Sequence, residues 1–558
     1  MSEARSGTDT LSQRIAGARA RTLPADAEHE RPLVALVRDS GIQLLDLTVN
    51  AGMARLVALR FLEELAQSDD GESAERVLHR VRLEDDVIAH PVDGRPVPWS
   101  QTYAIAGGQA MAHFAKAWLP LPILRVTGTD QRGFAEYDQG PGNWARVFVG
   151  PETPDALIRV TVAIDTSVLT AFGQGRAVPE LAPTIDDVED GAVFRVAYDA
   201  DDVAGFVSEE WVEAWARAHL ARSGAFRRGE DGAPGELWHV AAYLTFLETL
   251  GRGLELPDIM LIDPARDDGV PVDLNLSLGH ARSFGVLSRT QSHAASARSE
   301  GRRGAKATTP DPTAERENHL DPMLWPLQLR NLSDPLQAPV HVFDSTVAFT
   351  RNSFGDEAAS RMSGRAQAFN WPSLVALGPR AVGISLAAGP QSARCALSGT
   401  MRYLWDTAAV ERDWQQADDQ FGLDALNIKA ASGALLTLLT NAGEVVDPER
   451  FPHRTPAVRP RFSRSALSTL AIAELILQSL GQLSPPQEHH DAYPGFGAPL
   501  RLDGSAAAPF LRSITVNVGA DLLPDEADLL MRRVRDAVDL VWSAMRWDPA
   551  DGADFLPK

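Results

Sequence analysis

The chain has 558 residues, a formal net charge of −22 at pH 7, and a composition that is 44% hydrophobic and 23% charged. This length exceeds what one hydrophobic core supports, so we expect a globular protein of several domains. The negative charge disfavours binding to nucleic acid or to an anionic membrane surface. Cys395 is the only cysteine, which excludes a disulfide framework and a thiolate metal cluster.

Residues 1–30 are polar and show no apolar periodicity, so we expect a disordered lead. They lack the apolar segment of a signal peptide, and the chain has no run of about 18 apolar residues that would span a membrane. We therefore expect a cytoplasmic protein with no membrane segment. Export by a route that needs no signal peptide stays open.

Residues 31–265 are predicted to form an N-terminal α/β domain. The apolar runs 33–37 and 42–49 predict two strands, and Asp39, Ser40 and Gly41 between them predict a hairpin turn that also imitates a phosphate loop. Apolar spacing predicts a helix over 51–67. Further strands are predicted at Ala145–Val149, Leu157–Ala163 and Asp258–Ile262, and helices at Ser208–Arg222 and Leu237–Leu250.

The stretch 270–287 combines alternating apolar residues with a glycine turn. The alternation predicts a half-buried strand, and 284–287 begin a second one. Gly279 lets a ligand approach the backbone, and amide groups with the Ser283 hydroxyl can donate to phosphate oxygens. An ordinary β-hairpin has the same pattern, so the motif alone does not distinguish the two interpretations.

Residues 288–318 are rich in Ser, Ala, Arg, Thr and Pro, which predicts a mobile loop. The remaining segment, 319–558, has the patterns of further strands and helices. The strands are predicted within Val340–Thr350 and Ile514–Val518, and the helices at Ala466–Leu483 and Pro524–Trp542. His489, His490 and Asp491 offer metal ligands in a polar loop without an evident fourth ligand, so we predict no metal site.

Six segments, in this order, resemble the SrfB family of bacterial virulence-associated proteins. They span nearly the whole chain and are Asp39–Asp46, Ser353–Asp356, Ser363–Arg365, Ala368–Leu374, Arg402–Asp406 and Leu540–Trp542. The second part also resembles actin-like (ribonuclease-H-like) ATPases of the seventy-kilodalton heat-shock chaperone type, in which a phosphate loop precedes a strand like 345–349. The resemblance implies an α/β fold, with an N-terminal α/β domain followed by the first lobe of an actin-like ATPase. SrfB-type proteins are much longer, so the resemblance implies the N-terminal half, without the second lobe.

Departures from the ATPase pattern concern the charged positions. Ser277 stands where those enzymes place the Asp that organises magnesium, His280 replaces the usual Asn or Thr, and Met401 occupies the position that resembles the catalytic Lys. Catalysis of phosphoryl transfer is mostly electrostatic, and losing one such contact costs roughly 10²–10³ in rate. We therefore expect no catalytic residues and no resident cofactor. Binding of ATP with magnesium through Ser277, Gly279, His280 and Ser283 is expected to be weak or lost.

The resemblance and these departures favour a non-catalytic or incomplete actin-like scaffold or chaperone-like module that binds a protein partner in a bacterial assembly. One alternative is an actin-like ATPase whose second lobe is encoded downstream or on another chain. In another, residues 1–260 bind a protein partner and the second half is structural. The sequence names neither the partner nor the oligomeric state.

Overall fold

A computed structural model describes most of the chain. The described residues are 33–67, 74–81, 83–84, 87–129, 135–138, 143–168, 183–199, 202–222, 235–253, 256–263, 270–289, 323–355, 369, 371–418, 427–483, 509–518 and 522–545. The fold class is α/β, as predicted, with several small sheets. Within the described ranges, each helix is too short or too polar to cross a bilayer.

The first half contributes fifteen strands and six α-helices to the described structure. The strands are β1 (Leu33–Val37), β2 (Ile42–Asn50), β3 (Ala58–Gln67), β4 (Ala74–Val81), β5 (Leu83–Glu84), β6 (Val87–Ala89), β7 (Pro96–Val97), β8 (Thr102–Ala106), β9 (Trp118–Pro120), β10 (Ile123–Thr129), β11 (Ala135–Tyr137), β12 (Ala145–Val149), β13 (Leu157–Asp165), β14 (Phe194–Val196) and β15 (Asp258–Ile262). The helices are α1 (Ala51–Leu56), α2 (Gly107–Phe114), α3 (Ile185–Asp190), α4 (Ala204–Val207), α5 (Glu210–Arg222) and α6 (Trp238–Glu248).

These strands form four sheets. Their orders are β1-β15-β14-β10-β11, β2-β13-β12-β9, β4-β3-β8 and β5-β6-β7. Strands β12, β13 and β15 confirm the predicted strands, and α5 and α6 confirm the predicted helices. Aromatic side chains pack between the helices. The ring centroids of Phe114 in α2 and Phe246 in α6, for example, are 5.2 Å apart.

Two predictions for the first segment are wrong. Strands β1 and β2 do not form a hairpin, because β1 pairs in parallel with β15 and β2 pairs with β13. The predicted helix 51–67 ends at Leu56 and is followed by β3, which pairs with β4 and β8. Short apolar runs fit both the helical and the strand periodicity, and here pairing with β4 and β8 makes this run a strand.

The second half contributes ten strands and four α-helices to the described structure. The strands are β16 (Val270–Leu278), β17 (Arg282–Arg289), β18 (Met323–Pro326), β19 (Val342–Asp344), β20 (Thr346–Phe349), β21 (Val375–Leu377), β22 (Ala396–Ser398), β23 (Gln415–Asp418), β24 (Asn427–Ala430) and β25 (Pro509–Asn517). The helices are α7 (Gly378–Ala387), α8 (Ser392–Cys395), α9 (Ala466–Leu480) and α10 (Pro524–Ala544).

The main sheet of this half has the order β18-β17-β16-β25, and β19 also pairs with β17. Helix α9 lies in the core with all fifteen residues buried, as its apolar sequence requires. Helix α10 is amphipathic, begins with Pro524 and two acidic residues, and buries one face against α9. Both helices confirm the sequence prediction.

The core around α9 includes residues of both halves. Ile42 and Leu44 of β2, Trp118 of β9 and Phe148 of β12 pack in the same buried cluster as the strands of the main sheet. The Trp118 indole N–H donates to the Leu332 carbonyl over 3.0 Å. Removing either half would therefore expose apolar surface on the other.

One buried ion pair also joins the halves. The Arg330 guanidinium donates two hydrogen bonds to the Asp46 carboxylate of β2 and one to the Thr161 hydroxyl of β13. Such bidentate pairs fix orientation as well as charge, and breaking a buried one by removing a partner is costly.

Polar side chains on one stripe of α9, continued by Gln482 just beyond its last residue, hold the segment 328–330. The Gln482 amide accepts from the Gln328 backbone N–H and donates to the Gln328 carbonyl, both over 2.8 Å. One turn earlier, the Gln478 amide donates to the Arg330 carbonyl over 3.1 Å. Glu474 continues the stripe and accepts from the Gln478 amide over 2.9 Å. The buried backbone of this segment is therefore hydrogen-bonded by side chains.

Candidate functional site: the turn at Gly279

The predicted strand-turn-strand at 270–287 is present. Strands β16 and β17 pair antiparallel from Val272 opposite Arg289 to Leu278 opposite Ser283, and residues 279–281 form the turn. A Cβ atom on Gly279 would lie 2.4 Å from the Arg282 carbonyl oxygen, so this turn accepts no side chain there. The need for a glycine is thus explained by the backbone of the turn itself.

Ser345, between β19 and β20, binds this turn from outside the hairpin. Its backbone N–H donates to the Ala281 carbonyl over 2.9 Å, and its hydroxyl donates to the Gly279 carbonyl over 2.7 Å. The hydroxyl oxygens of Ser283 and Ser345 lie 3.0 Å apart, and the Gly279 N–H donates to the Ser283 hydroxyl over a longer 3.4 Å. The amide and hydroxyl that we predicted to bind phosphate are therefore hydrogen-bonded within the protein.

The four predicted phosphate-binding residues do not all face one point. Cross-strand partners share a face of a sheet, and Ser277 is paired with the exposed Phe284, whereas Ser283 is paired with the buried Leu278. Ser277 thus lies on the outer face of the sheet and Ser283 on the inner face. The structure brings Gly279 and Ser283 together and places Ser277 on the opposite side. His280 lies within the turn and is partly exposed.

Met401, at the position that resembles the catalytic lysine, is buried in the core that surrounds α9. It belongs to a short 3-10 helix, Thr400–Tyr403, and is 4% exposed. An ammonium group in this apolar position would require a charged partner to offset its desolvation. An uncharged, apolar side chain such as methionine therefore fits this buried position.

The second turn that imitates a phosphate loop, at Asp39, is also held by internal bonds. The Val168 N–H donates to the Asp39 carboxylate over 3.1 Å, and the Arg38 guanidinium bridges the carboxylates of Asp39 and Asp263 over 2.8 and 3.0 Å. Burial raises the pKa of Asp39, while the bond from Val168 and the charge of Arg38 oppose that shift. The Asp39 carboxylate therefore stabilises the fold through these internal bonds.

Phe369 and Trp371, which belong to a segment that carries part of the family resemblance, each contact a buried carboxylate. The Trp371 indole N–H donates to the Glu474 carboxylate of α9 over 2.9 Å, and the Phe369 N–H donates to Asp165 at the end of β13 over 3.0 Å. Burial raises the pKa of Glu474, and hydrogen bonds from Gln478 and Trp371 partly oppose that shift. These motif residues hold α9 and β13 together.

The contacts of Ser345 were missed by the sequence analysis, which placed this residue only in a strand. It is 66 residues from Gly279, and a hydroxyl in a strand gives no indication of its distant partner. Other predicted features lie outside the described residues: the lead 1–30, residues 290–318 of the predicted loop, Ser363–Arg365 and His489–Asp491. Ser288 and Arg289, the first two residues of that loop, belong to β17.

Comparison with known proteins identifies the family. A search of curated proteins and a search of solved structures gave no match to this chain. A protein-family model described as virulence factor SrfB matches residues 27–556, nearly the whole chain. The chain therefore belongs to the SrfB family of virulence factors.

Proposed function

We propose that this SrfB-family chain is a non-catalytic scaffold or chaperone-like module that binds a protein partner in a bacterial assembly, and that its second part keeps the resemblance to an actin-like first lobe without the nucleotide chemistry. The observation that carries the proposal is the bond between the Ser283 and Ser345 hydroxyls, because it occupies the polar groups of the phosphate-loop-like turn. A phosphate would have to break bonds that already stabilise the fold.

The charges around the turn support the same proposal. Magnesium and phosphate need a carboxylate to orient the metal's waters and a cation to offset developing negative charge. Ser277 is neutral and lies on the outer face of the sheet, and Met401 is buried among apolar side chains. The groups on which phosphoryl transfer depends are replaced at both positions.

An apolar patch on the outer face of the main sheet supports a protein partner. Phe284 of β17 and Val342 of β19 are paired directly, and both are exposed, 43% and 58%. Leu324 of β18, opposite Ser288, adds a third exposed apolar side chain on this face. Phe284 and Val342 are direct neighbours and Leu324 lies farther along the same face. Exposed apolar residues grouped on one sheet face are typical of a binding surface. We propose this patch (Phe284, Val342 and Leu324) as the partner surface.

The alternative, an ATPase completed by a second lobe, predicts binding of nucleotide at the turn. The first test is the melting temperature of the full chain with and without magnesium and ATP, together with phosphate release by the wild type and by Ser277→Asp. We expect a change in melting temperature below about 1 °C and no phosphate release above background from either protein. A larger rise that Ser283→Ala abolishes would favour the ATPase and contradict our proposal.

The partner surface has its own test in the native host cell. Copurification is compared between the wild type, the double variant Phe284→Ser/Val342→Ser, and Leu386→Ser, which removes an even more exposed apolar side chain on α7. We expect a protein that is retained by the wild type and by Leu386→Ser and lost by the double variant. Equal retention by all three proteins would contradict the assignment of this surface.

A further inference from the structure

Two histidines and a glutamate meet beside the small sheet β5-β6-β7. In the pairing of β3 with β4, Leu62 lies opposite His79 and Glu64 lies opposite Val77, so Glu64 and His79 are diagonal neighbours on one face. The small sheet packs on this face through a buried cluster of Leu62, Val81, Ile88 and Val97. Its strand β6 is followed directly by His90, which completes the group.

The nitrogen and oxygen atoms of this group converge. His90 Nε2 lies 2.7 Å and His79 Nε2 lies 3.6 Å from Glu64 Oε1. The three atoms all lie within 4.8 Å of one another. Tetrahedral zinc, with bonds of about 2.0–2.1 Å, separates its ligand atoms by roughly 3.3 Å, so small side-chain movements produce that geometry. Two imidazoles and one carboxylate, with a fourth position for water, are an established zinc ligand set.

The other nitrogen of His90 lies within hydrogen-bond distance of a carboxylate. His90 Nδ1 lies 3.0 Å from the Asp93 carboxylate, in a turn closed by bonds between His90 and Arg95 and between Gly94 and His90. A histidine that ligates a metal usually donates its second N–H to a carboxylate or carbonyl, which fixes the tautomer. In this structure Nδ1 accepts from the backbone N–H groups of Val92 and Asp93 over 3.3 and 3.4 Å. Metal binding at Nε2 therefore requires Nδ1 to carry the proton and to donate it to the Asp93 carboxylate instead.

Burial and charge leave one oxygen of Glu64 directed at the histidines. The Arg95 guanidinium binds Glu64 Oε2 over 2.6 Å, while Oε1 faces the two imidazoles. His90 is 5% exposed, whereas the side chains of His79 and Glu64 are 17% and 28% exposed. His90 is therefore the buried member of the group, and His79 and Glu64 face solvent, which leaves a path for an ion and its water.

We propose that Glu64, His79 and His90 bind one zinc ion, with Asp93 as the positioning residue for His90. In the absence of metal, the proton on His90 Nε2 takes the place of the ion and donates to Glu64. Zinc takes this place on Nε2, and the proton moves to Nδ1, where the Asp93 carboxylate accepts it. The ion then joins β3 and β4 to the small sheet β5-β6-β7. Because the ion binds the folded arrangement and not the separated strands, it stabilises this part of the protein.

The test uses the full chain, stripped with a chelator and titrated with zinc in a calorimeter. We expect one zinc per chain with a dissociation constant below about 1 μM, and a melting temperature raised by about 2–5 °C. Cobalt in place of zinc should give the visible absorption of a tetrahedral ion. Zinc binding weaker than that limit, or cobalt without tetrahedral absorption, would overturn the proposal.

Variants assign the ligands. His79→Asn and Glu64→Gln should each weaken zinc binding by more than 100-fold, and Asp93→Asn should weaken it by about 10-fold because it acts through His90. The exposed His341→Asn is the matched control and should bind zinc like the wild type. The double variant His489→Asn/His490→Asn should also retain the ion. Loss of zinc from that double variant, with retention in His79→Asn, would place the ion elsewhere and overturn the proposal.

Discussion

Glu474 and Glu64 each accept a hydrogen bond from a ring N–H, and the two sites differ in what the ring can do. Glu474 accepts from the Trp371 indole over 2.9 Å in the core, and Glu64 lies 2.7 Å from Nε2 of the His90 imidazole beside the small sheet. An indole N–H only donates, whereas an imidazole nitrogen can release its proton and ligate a metal. Similar geometry therefore produces a permanent structural bond at one site and an exchangeable one at the other.

The largest expected effect in this comparison comes from Glu474→Ala. The substitution leaves a cavity beside α9 and removes the acceptor of both the Trp371 indole and the Gln478 amide. We expect the free energy of unfolding to fall by about 3 kcal/mol, from the cavity and the unsatisfied donors together. Urea denaturation monitored by tryptophan fluorescence measures it, and a loss below about 1 kcal/mol would contradict the structural role.

The matched control, Glu474→Gln, keeps the shape and an acceptor oxygen and adds a pH test. Burial raises the pKa of Glu474, so the folded state holds this proton more tightly than the unfolded state does. The resulting stabilisation is complete below about pH 4.5 and is lost as the pH rises through the folded-state pKa. We therefore expect Glu474→Gln to gain stability relative to the wild type as the pH rises above about 4.5. A constant difference across this range would contradict the raised pKa.

An intermediate effect is expected at the Gly279 turn. Ser345→Ala removes a bond to the Gly279 carbonyl and one to the Ser283 hydroxyl, and should lower the free energy of unfolding by about 1–2 kcal/mol. A double-mutant cycle with Ser283→Ala should show a coupling of about 0.5–1 kcal/mol between the hydroxyls. Additive losses would show that the two hydroxyls do not depend on each other.

The smallest effect is expected from His79→Asn without metal. Burial, and then the neighbouring His90, lower the pKa of His79, so its ring is neutral near pH 7 and its attraction to Glu64 is weak. We expect a change in the free energy of unfolding below about 1 kcal/mol in chelator-treated protein. A larger loss in the absence of metal would make this group resemble the Glu474 site and remove the contrast between them.

Regular elements with strong local patterns were predictable from the sequence. Strands β12, β13 and β15 are nearly continuous apolar runs, and α9 is a long run rich in Leu and Ile. Helix α10 has clear helical periodicity and a proline start. The strand-turn-strand at Gly279 was predictable for the same reason. The hydrogen-bond partner of its Ser283 hydroxyl was not predictable, because Ser345 lies between two strands far along the chain.

Features set by distant pairing were not predictable. Strand β3 has a helix-like apolar spacing and becomes a strand because β4 and β8 flank it. The turn at Asp39 joins two sheets because the partners of its flanking strands, β15 and β13, are more than 100 residues away. The zinc ligands come from three strands or their ends with no recognisable spacing, so only the packing of the small sheet on β3 and β4 brings them together.

The hydrogen bonds from Gln478 of α9 and from Gln482, just beyond this helix, to the segment 328–330 have a consequence for how this family can vary. The Gln482 side-chain amide hydrogen-bonds the N–H and carbonyl of Gln328, as the backbone of a neighbouring strand would. Gln478 donates in the same way to the Arg330 carbonyl. These two glutamines thus recognise the position of peptide groups and not the identity of the side chains on them. Changes of residue within 327–329 are tolerable in this arrangement if they keep their size, whereas a one-residue insertion there would move Arg330 away from Asp46 and place two buried amides opposite the wrong groups.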